Sequence, residues 1–567
     1  MRKIICGLLT MLTVTIAMVS CAKDSNTQAT EPPKTSTVVT PASTPTLEPE
    51  PTLVKPSELT VFTPQLATVE NFETNRFTKY YEELTGIHIN WITCNTSERD
   101  TQLNLSLTSK EYPDIYATSF TTSQIIQYAE AGVFRPLNDL IDRYAPISKS
   151  ILDMDTQLKE MITAPDGNIY TLFYYLPLLQ SDTNYERCFK LWIYQPWLKQ
   201  TGMDMPDTID EFKQILIYFR DHDMNGNGNT DDEIPLMGSY QYAESGSDPM
   251  YAIMNSFQLF PSHFLLAENG IITFAASTNE FRDGLRYLND LFEEKLLAEE
   301  TYVQDLNQFR SVTSVTSEAE MVVGVTSGAT YARFILQSVY ADAYEDFTAI
   351  GPLALTEGGP KQMILENRPP ELRCVITSAC KYPEAAIQWL DNTLEIENAL
   401  MIFRGYEDEH WRRLSDNITP DKGIIIEMID DNPLIPAGSS AQNSVWQNWT
   451  TPFYHTKLRA VFTTVYKEGT NSYLMDKKQG EANTMFDDCG VKSGIPAIVW
   501  CNDADIITEF TDLKTTIDSY VKQSYTQFIL GTLDINDDAA WQTYLTELDN
   551  MGLERYLDVC EQYYFGK

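Results

Sequence analysis

The sequence predicts an α/β protein with mostly parallel sheets divided between two lobes. Strand-like residues 59–62 and 87–91 flank a helical period over 75–84, which Gly86 ends. A strand–helix–strand order at this spacing is typical of a parallel sheet, whose ligands bind at the carboxyl ends of the strands. The roughly 510 residues after position 57 exceed what one hydrophobic core usually takes, which favours two lobes.

The same alternation continues along the chain. Further predicted strands cover residues 112–117, 169–172, 189–193, 321–325, 349–353 and 374–377. Further predicted helices cover 98–107, 124–130 and much of the last thirty residues, from Ala539. Thr208 lies three residues before Glu211, which predicts a capping box at the start of another helix, because each side chain can satisfy the other residue's backbone N–H.

The amino terminus predicts export. Arg2 and Lys3 precede an apolar run that is too short for a membrane span, so residues 1–20 read as a signal peptide. Met18-Val19-Ser20-Cys21 resembles the lipobox of bacterial lipoproteins, which implies a diacylglyceryl group on Cys21. Two acyl chains hold a protein on a bilayer. The alternative is an ordinary signal peptide with a chance cysteine.

Residues 21–57 predict a disordered tether between this anchor and the folded region. They are rich in Thr, Pro, Ser and Glu and have no hydrophobic period. The net charge of −39 argues against a nucleic-acid or anionic-lipid partner, since either needs a basic face. We therefore expect an extracellular protein that touches the membrane through its lipid anchor only.

Cysteine and histidine usage does not favour a transition-metal site. Seven cysteines remain after Cys6 and Cys21 are set aside, and neither CxxC nor HExxH spacing occurs. We expect buried free thiols, with a Cys374–Cys380 bridge as the alternative.

One loop has the composition of a calcium site. From Asp223 onward, oxygen-bearing side chains occupy every second position and Gly228 provides a sharp turn, as calcium-binding loops require. The candidate ligands are Asp223, Asn225, Asn227, Asn229, Asp231, Asp232 and Glu233. The twelfth position is Ile234, so the loop is not a standard EF-hand. Either Asp231 with Asp232 or Asp232 with Glu233 closes the ligand shell, and a polar turn without an ion is the alternative.

A family resemblance organises these segments. The stretches KYYEELTGIHINW, YPDIYATS, GVFRPLNDLIDRYAP, PDGNIYTL, YQPWLKQTGMDMPDTIDEFKQ, CVITSACKYPEAAIQWLDN and FRGYEDEHW resemble, in this order, extracellular solute-binding proteins of ABC transporters. The chain is most similar to the large, family 1-like lipoproteins that bind oligosaccharides. Where that family often has Arg-x-Asp-Trp, this chain has Tyr194-Gln195-Pro196-Trp197.

The resemblance implies a fold, partners and a structural calcium in the loop. The implied architecture is the type II periplasmic-binding-protein fold, a Venus flytrap that closes on its ligand. We expect lobe 1 over residues 58–178 and 350–410, and lobe 2 over 179–349 and 411–567. The implied partners of this monomer are a carbohydrate ligand and the permease subunits of an ABC importer.

Candidate sugar-binding residues are aromatic or hydroxylic. Sugar rings stack on Trp and Tyr, and their hydroxyls hydrogen-bond to polar side chains. Trp446 and Trp449 lie in a segment of mixed tryptophans and amides, and either could line the cleft or the core. Residues at predicted strand ends complete the set, namely Thr118, Ser119, Tyr175 and Ser327.

Two other functions compete with transport. A glycan-degrading lipoprotein needs only two carboxylates, which 80 acidic residues supply anywhere in the chain. A surface adhesin or sensor is the third class. No GxSxG, HExxH or P-loop signature occurs, so the sequence predicts a binding protein and not an enzyme.

Overall fold

The computed structural model describes residues 54–66, 69–175, 189–241, 246–315, 317–335, 345–365, 369–429, 443–446, 451–456, 458–486 and 489–566. All of them belong to one compact unit, Leu53–Lys567. The signal peptide, Cys21, Cys188 and Trp449 lie outside the described residues.

The described chain contains strands and helices along its whole length. The strands are β1 (Glu58–Gln65), β2 (His88–Asn95), β3 (Ile115–Phe120), β4 (Leu172–Tyr175), β5 (Leu191–Tyr194), β6 (Ile234–Met237), β7 (Leu265–Glu268), β8 (Ile271–Phe274), β9 (Val323–Ser327), β10 (Phe347–Ile350), β11 (Met363–Leu365), β12 (Glu371–Ile376), β13 (Trp411–Thr419), β14 (Gly423–Met428), β15 (Phe453–Tyr454), β16 (Phe462–Val465) and β17 (Gly490–Lys492). The α-helices are α1 (Arg76–Thr85), α2 (Arg99–Ser109), α3 (Thr122–Glu130), α4 (Asn138–Tyr144), α5 (Pro146–Met154), α6 (Thr156–Ile162), α7 (Gln195–Thr201), α8 (Ile209–Asp221), α9 (Pro249–Met254), α10 (Asn279–Glu293), α11 (Leu306–Thr313), α12 (Pro383–Asn392), α13 (Ile396–Arg404), α14 (Asn471–Thr484), α15 (Ala504–Ile529), α16 (Asp538–Asn550) and α17 (Leu553–Phe565).

Two local predictions are confirmed at helix ends. Gly86 ends α1 in the left-handed conformation with φ of 69°, which a glycine adopts without steric cost. At the start of α8, the Thr208 hydroxyl accepts the Glu211 N–H, and the Glu211 carboxylate accepts the Thr208 N–H. This is the predicted capping box.

The first lobe is built on a six-stranded mixed sheet in the order β15–β4–β12–β3–β1–β2. β1 runs parallel to both β2 and β3, as expected from the strand–helix–strand pattern. β12 enters antiparallel between β3 and β4. One hydrophobic cluster, from Leu59 to Tyr454, fills this lobe.

The second lobe is built on a four-stranded sheet in the order β10–β5–β9–β6. Only β6 and β9 are parallel, while β5 pairs antiparallel with both β10 and β9. This sheet is therefore mixed but not mostly parallel as expected. A separate hydrophobic cluster, from Phe189 to Cys560, fills the lobe.

Two predicted lobe boundaries differ from the structure. Residues 350–365 pack into the core of the second lobe, because β10 pairs with β5 there. The described residues between 411 and 465 lie with the first lobe, since β15 joins its sheet beside β4. Among the described strands, the chain consequently changes lobe three times: between β4 and β5, between β11 and β12, and after β16.

No disulfide joins Cys374 to Cys380 in the described structure, which corrects the alternative of a bridge between them. Burial raises the pKa of the Cys374 thiol to about 12, so this sulfur stays protonated.

Candidate functional site

A cleft of about 490 Å³ lies between the two lobes at the carboxyl end of β3. The first lobe contributes Ser119 and Phe120 from β3, and Glu371 and Leu372 from β12. The second lobe contributes the opposite wall. Its lining residues include His263, Ser493, Ile495, Phe510, Lys514, Tyr563 and Tyr564. The cleft therefore lies at the carboxyl end of a strand in a parallel pair, where α/β sheets place ligands.

A polar group on the first-lobe wall centres on Glu371. The Oε2 atom of Glu371 accepts hydrogen bonds from Arg373 Nε at 3.0 Å and Arg373 Nη2 at 2.6 Å. Ser119 Oγ donates to the same oxygen at 3.0 Å. The Arg373 side chain is 2% exposed, whereas that of Glu371 is 35% exposed. The Arg373 guanidinium also lies 4.0 Å from the centroid of the Tyr174 ring. This cation–π contact helps to fix the arginine that hydrogen-bonds to Glu371.

The second-lobe wall is aromatic. Tyr563 stacks on Phe510 with ring centroids 4.1 Å apart and an interplanar angle of 9°. Tyr564 contacts Phe510 edge-on at 5.6 Å, so these three rings form one rigid group. Lys514 on α15 is paired with Asp518 one turn along the same helix. That pairing offsets the lysine charge near the cleft.

The structure brings only Ser119, among the described sequence-predicted ligand residues, to the cleft wall. Thr118 is buried and accepts a hydrogen bond from Arg99 Nε at 3.0 Å. Tyr175 is buried at the end of β4 beside Tyr454, and burial raises its pKa to about 12. Ser327 is buried in the second lobe, where its hydroxyl donates to the Ser247 carbonyl.

Trp446 lies in the core, which corrects its assignment as a stacking residue. It is 1% exposed, and its Nε1 donates to Thr78 Oγ1 at 2.7 Å. The surrounding rings are Phe77, Tyr81, Trp91 and Trp389. No ring face is left for a sugar in this arrangement. Trp449 lies outside the described residues.

Sequence reasoning missed Glu371, Tyr563 and Tyr564. Nothing in the local pattern distinguishes Glu371 from other carboxylates, since its placement depends on β12 entering the first sheet from the other lobe. A weak signal existed for the tyrosines. They are two adjacent aromatic residues at the end of an amphipathic helix, α17.

The loop between α8 and β6 forms a second, separate candidate site. Asp223 accepts three backbone hydrogen bonds, from Gly226 at 2.8 Å, Asn227 at 3.1 Å and Gly228 at 2.8 Å. Gly226 and Gly228 have φ of 73° and 86°, which a side chain would make costly. The predicted glycine turn is therefore present.

Two carboxylate oxygens of this loop are buried without a hydrogen-bond partner in the described structure. They are Asp232 Oδ1 and Glu233 Oε2. Burial raises the pKa of Glu233, while its other oxygen accepts the Met224 N–H at 2.8 Å. Burying an unpaired carboxylate oxygen costs free energy unless a cation or a proton binds to it. Counting only His, Cys, Asp and Glu, the described residues contain no group of three or more placed to hold a metal, so an ion here would also need oxygen ligands of other kinds, such as asparagine side chains or backbone carbonyls.

Comparison with known proteins shows which fold the chain shares. No family model matches the chain. Its fold matches a crystal structure of an extracellular solute-binding protein from Bifidobacterium longum subsp. infantis, with a TM-score of 0.70 and 18% identity over 89% of this chain and 97% of that one. The chain thus has the fold of the extracellular solute-binding proteins, and the resemblance to those of ABC transporters is confirmed.

Individual relatives are more specific. The chain is 25% identical over 502 residues, 85% of each protein, to the fructooligosaccharide ABC transporter substrate-binding protein FusA of Streptococcus pneumoniae serotype 4. FusA in complex with kestose has a TM-score of 0.65 at 20% identity, covering 89% of this chain and 98% of that one. A FusA EF-hand mutant is similar, with a TM-score of 0.64 at 20% identity over the same shares. Lipoprotein LipO of Bacillus subtilis is 24% identical over 229 residues, 40% of this chain and 42% of LipO.

None of the described helices combines the length and the apolar composition that a bilayer crossing needs.

Proposed function

We propose that this protein captures an oligosaccharide in the cleft between its lobes and delivers it to an ABC importer. The observation that carries the proposal is a two-lobed cleft with a hydroxyl–carboxylate group on one wall and stacked aromatic rings on the other. FusA, similar over most of this chain, is a fructooligosaccharide-binding protein. The chain acts as a binding component and not as an enzyme, as its relative does.

The two walls suit the two surfaces of a sugar. Ser119 and Glu371 offer partners to ring hydroxyls, and Tyr563 offers the ring face that Phe510 does not cover. Because the walls belong to different lobes, a ligand that contacts both stabilises one arrangement of the lobes. A permease can then distinguish the loaded protein from the empty one.

The test is calorimetry of the folded region with neutral oligosaccharides, starting with kestose and nystose. We expect saturable binding without release of new reducing ends, which excludes glycan cleavage. Tyr563→Ala should weaken binding about tenfold, since truncating an aromatic contact to the ligand costs roughly 1–3 kcal/mol. Tyr382→Ala, at an exposed tyrosine of the first lobe, is the matched control. If Tyr563→Ala leaves the binding affinity unchanged, the aromatic wall is not part of the binding site.

Binding of polymer but not of short oligomers would instead favour the adhesin alternative.

A structural calcium ion in the 223–233 loop is part of the proposal. Asp223, Asn225, Asn227 and Asn229 supply oxygens along the turn, and the buried Asp232 Oδ1 and Glu233 Oε2 supply the charge. Their burial favours the Asp232–Glu233 pair over Asp231, whose side chain is exposed. When bound, calcium would neutralise these carboxylates and hold the loop between α8 and β6.

The membrane anchor is likewise proposed from the sequence. Lipidation of Cys21 would hold the protein on the outer face of the cell membrane. Mass spectrometry of the native amino-terminal peptide should show the acyl groups, and an unmodified Cys21 in mature protein would refute the anchor.

A further inference from the structure

Glu371 has one carboxylate oxygen fully occupied and the other available. All the described hydrogen bonds to its side chain, two from Arg373 and one from Ser119, go to Oε2. Within the described structure, Oε1 has no recorded partner, and the side chain lines the cleft at 35% exposure. The carboxylate is thus fixed in position with an acceptor left for a ligand.

The backbone around Glu371 is held as firmly as its side chain. Pro369 and Pro370 precede it and also line the cleft, and proline restricts φ to about −65°. Glu371 itself pairs with Tyr174 on β4, while Arg373 pairs with Ser119 on β3. A group held this way loses little entropy when it binds a ligand.

The charge of this acceptor selects among sugars. A carboxylate accepts hydrogen bonds from hydroxyl groups but repels a ligand carboxylate or sulfate. Arg373 beneath it is buried, and Lys514 on the opposite wall is paired with Asp518. The net charge of −39 adds repulsion at longer range.

We propose that Glu371, positioned by Arg373 and Ser119, binds the hydroxyls of an uncharged oligosaccharide and makes the cleft reject acidic ones. This inference rests on the proposed capture of oligosaccharides and adds the class of ligand. Glu371 is the specificity-determining residue, and Arg373 is a positioning residue.

The experiment compares a neutral and an acidic panel on the wild-type protein by calorimetry. Kestose, nystose and lacto-N-tetraose represent neutral ligands, and trigalacturonate and trimannuronate represent acidic ones. We expect the tightest neutral ligand to bind at least about a hundredfold more tightly than any uronate. Raising the salt concentration should improve uronate binding and leave neutral binding unchanged, because salt screens only charge repulsion.

Glu371→Gln should weaken the neutral ligand about tenfold or more, as expected for losing a hydrogen bond to a charged group. It should also reduce the ratio of the affinity for neutral ligands to the affinity for acidic ligands. A defect in folding alone would not change this ratio. Glu371→Asp keeps the charge but moves it, so it should lose neutral affinity while still rejecting uronates. Glu397→Gln is the matched control, since Glu397 on α13 forms a comparable pair with Arg413 on β13, away from the cleft lining.

The outcomes separate this inference from the proposed function. The proposed role of Glu371 is wrong if the wild-type protein prefers uronates. It is also wrong if Glu371→Gln folds but keeps the wild-type ratio of neutral to acidic affinity. Neither result contradicts oligosaccharide capture. Failure of the wild-type protein to bind any glycan of either panel overturns both. If Glu371→Gln does not fold, Glu371→Asp and the salt dependence of the wild type decide the question.

Discussion

The Asp248 carboxyl group is buried inside the second lobe. It accepts the Met250 N–H at 2.9 Å at the start of α9 and a hydrogen bond from the Tyr525 hydroxyl at 3.3 Å. Burial raises its pKa from 3.8 to about 6, because desolvation disfavours the carboxylate more than these donors favour it. The folded protein therefore holds this proton over a pH range in which the unfolded chain has lost it.

Asp248 should make the protein less stable as pH rises from about 4 to about 6. Below this window the group is protonated in both states, and above it the folded state must bury a carboxylate, at a total cost of about 3 kcal/mol. Asp248→Asn keeps an acceptor for Met250 and removes this cost. Its melting temperature relative to wild type should thus be higher at pH 7.5 than at pH 4.5.

Asp537→Asn is the control for that measurement. Asp537 also caps a helix, α16, by accepting the Ala539 N–H at 2.9 Å, but it is exposed. The prediction would be contradicted if the difference in melting temperature between wild type and Asp248→Asn were the same at pH 4.5 and pH 7.5.

Residue roles were less predictable than residue types. The aromatic–amide segment around Trp446 has a composition suited to sugar binding, yet Trp446 is surrounded by four aromatic rings of the first lobe. Glu371 has no distinctive neighbours in sequence, and only the pairing of β12 with β3 brings it beside Ser119. Contacts between distant segments decided both cases, and no local pattern encodes them.

At the scale of elements, the loop between α8 and β6 gives a direct test of calcium binding. Asp223 organises the turn, and Asp232 and Glu233 have unpartnered buried oxygens in the described structure. Chelator should lower the melting temperature, and excess calcium should restore it by mass action. Asp223→Ala should abolish both responses.

Asp221→Ala is the matched control, because Asp221 precedes the loop and pairs with Arg220. If neither chelator nor calcium changes the melting temperature of the wild-type protein, the loop is a polar turn that binds no calcium.

Elements with local signals were predicted well. The Thr208 capping box and the Gly86 helix end depend on residues within one turn, and both are present. Strand existence was also predicted, but with shifted bounds: residues 321–325 were expected where β9 covers Val323–Ser327. The antiparallel pairing of β5 was missed because strand direction is set by the crossings between lobes.

At the scale of the whole molecule, Trp500 forms a contact between the two lobes. It lies just before α15, whose residues pack in the second lobe, yet Trp500 and Ile498 pack against the core of the first. Its Nε1 donates to the Met161 carbonyl of α6 at 2.9 Å. This contact holds the lobes in the arrangement in which both line the cleft.

Loss of this contact should act on binding without touching the cleft lining. Trp500→Ala should lower the population of the described arrangement, and apparent affinity falls in proportion to the population that can bind. We expect every ligand to weaken by the same factor, up to about tenfold, in contrast to the selective effect at Glu371. Trp500→Phe keeps most of the packing and removes only the hydrogen bond, so it should show a smaller uniform loss.

Small-angle scattering of the ligand-free protein should show a larger radius of gyration for Trp500→Ala than for wild type. Affinities that change unequally among ligands would place Trp500 in the binding site itself. Unchanged affinity and scattering would mean that the three chain crossings alone set the arrangement of the lobes.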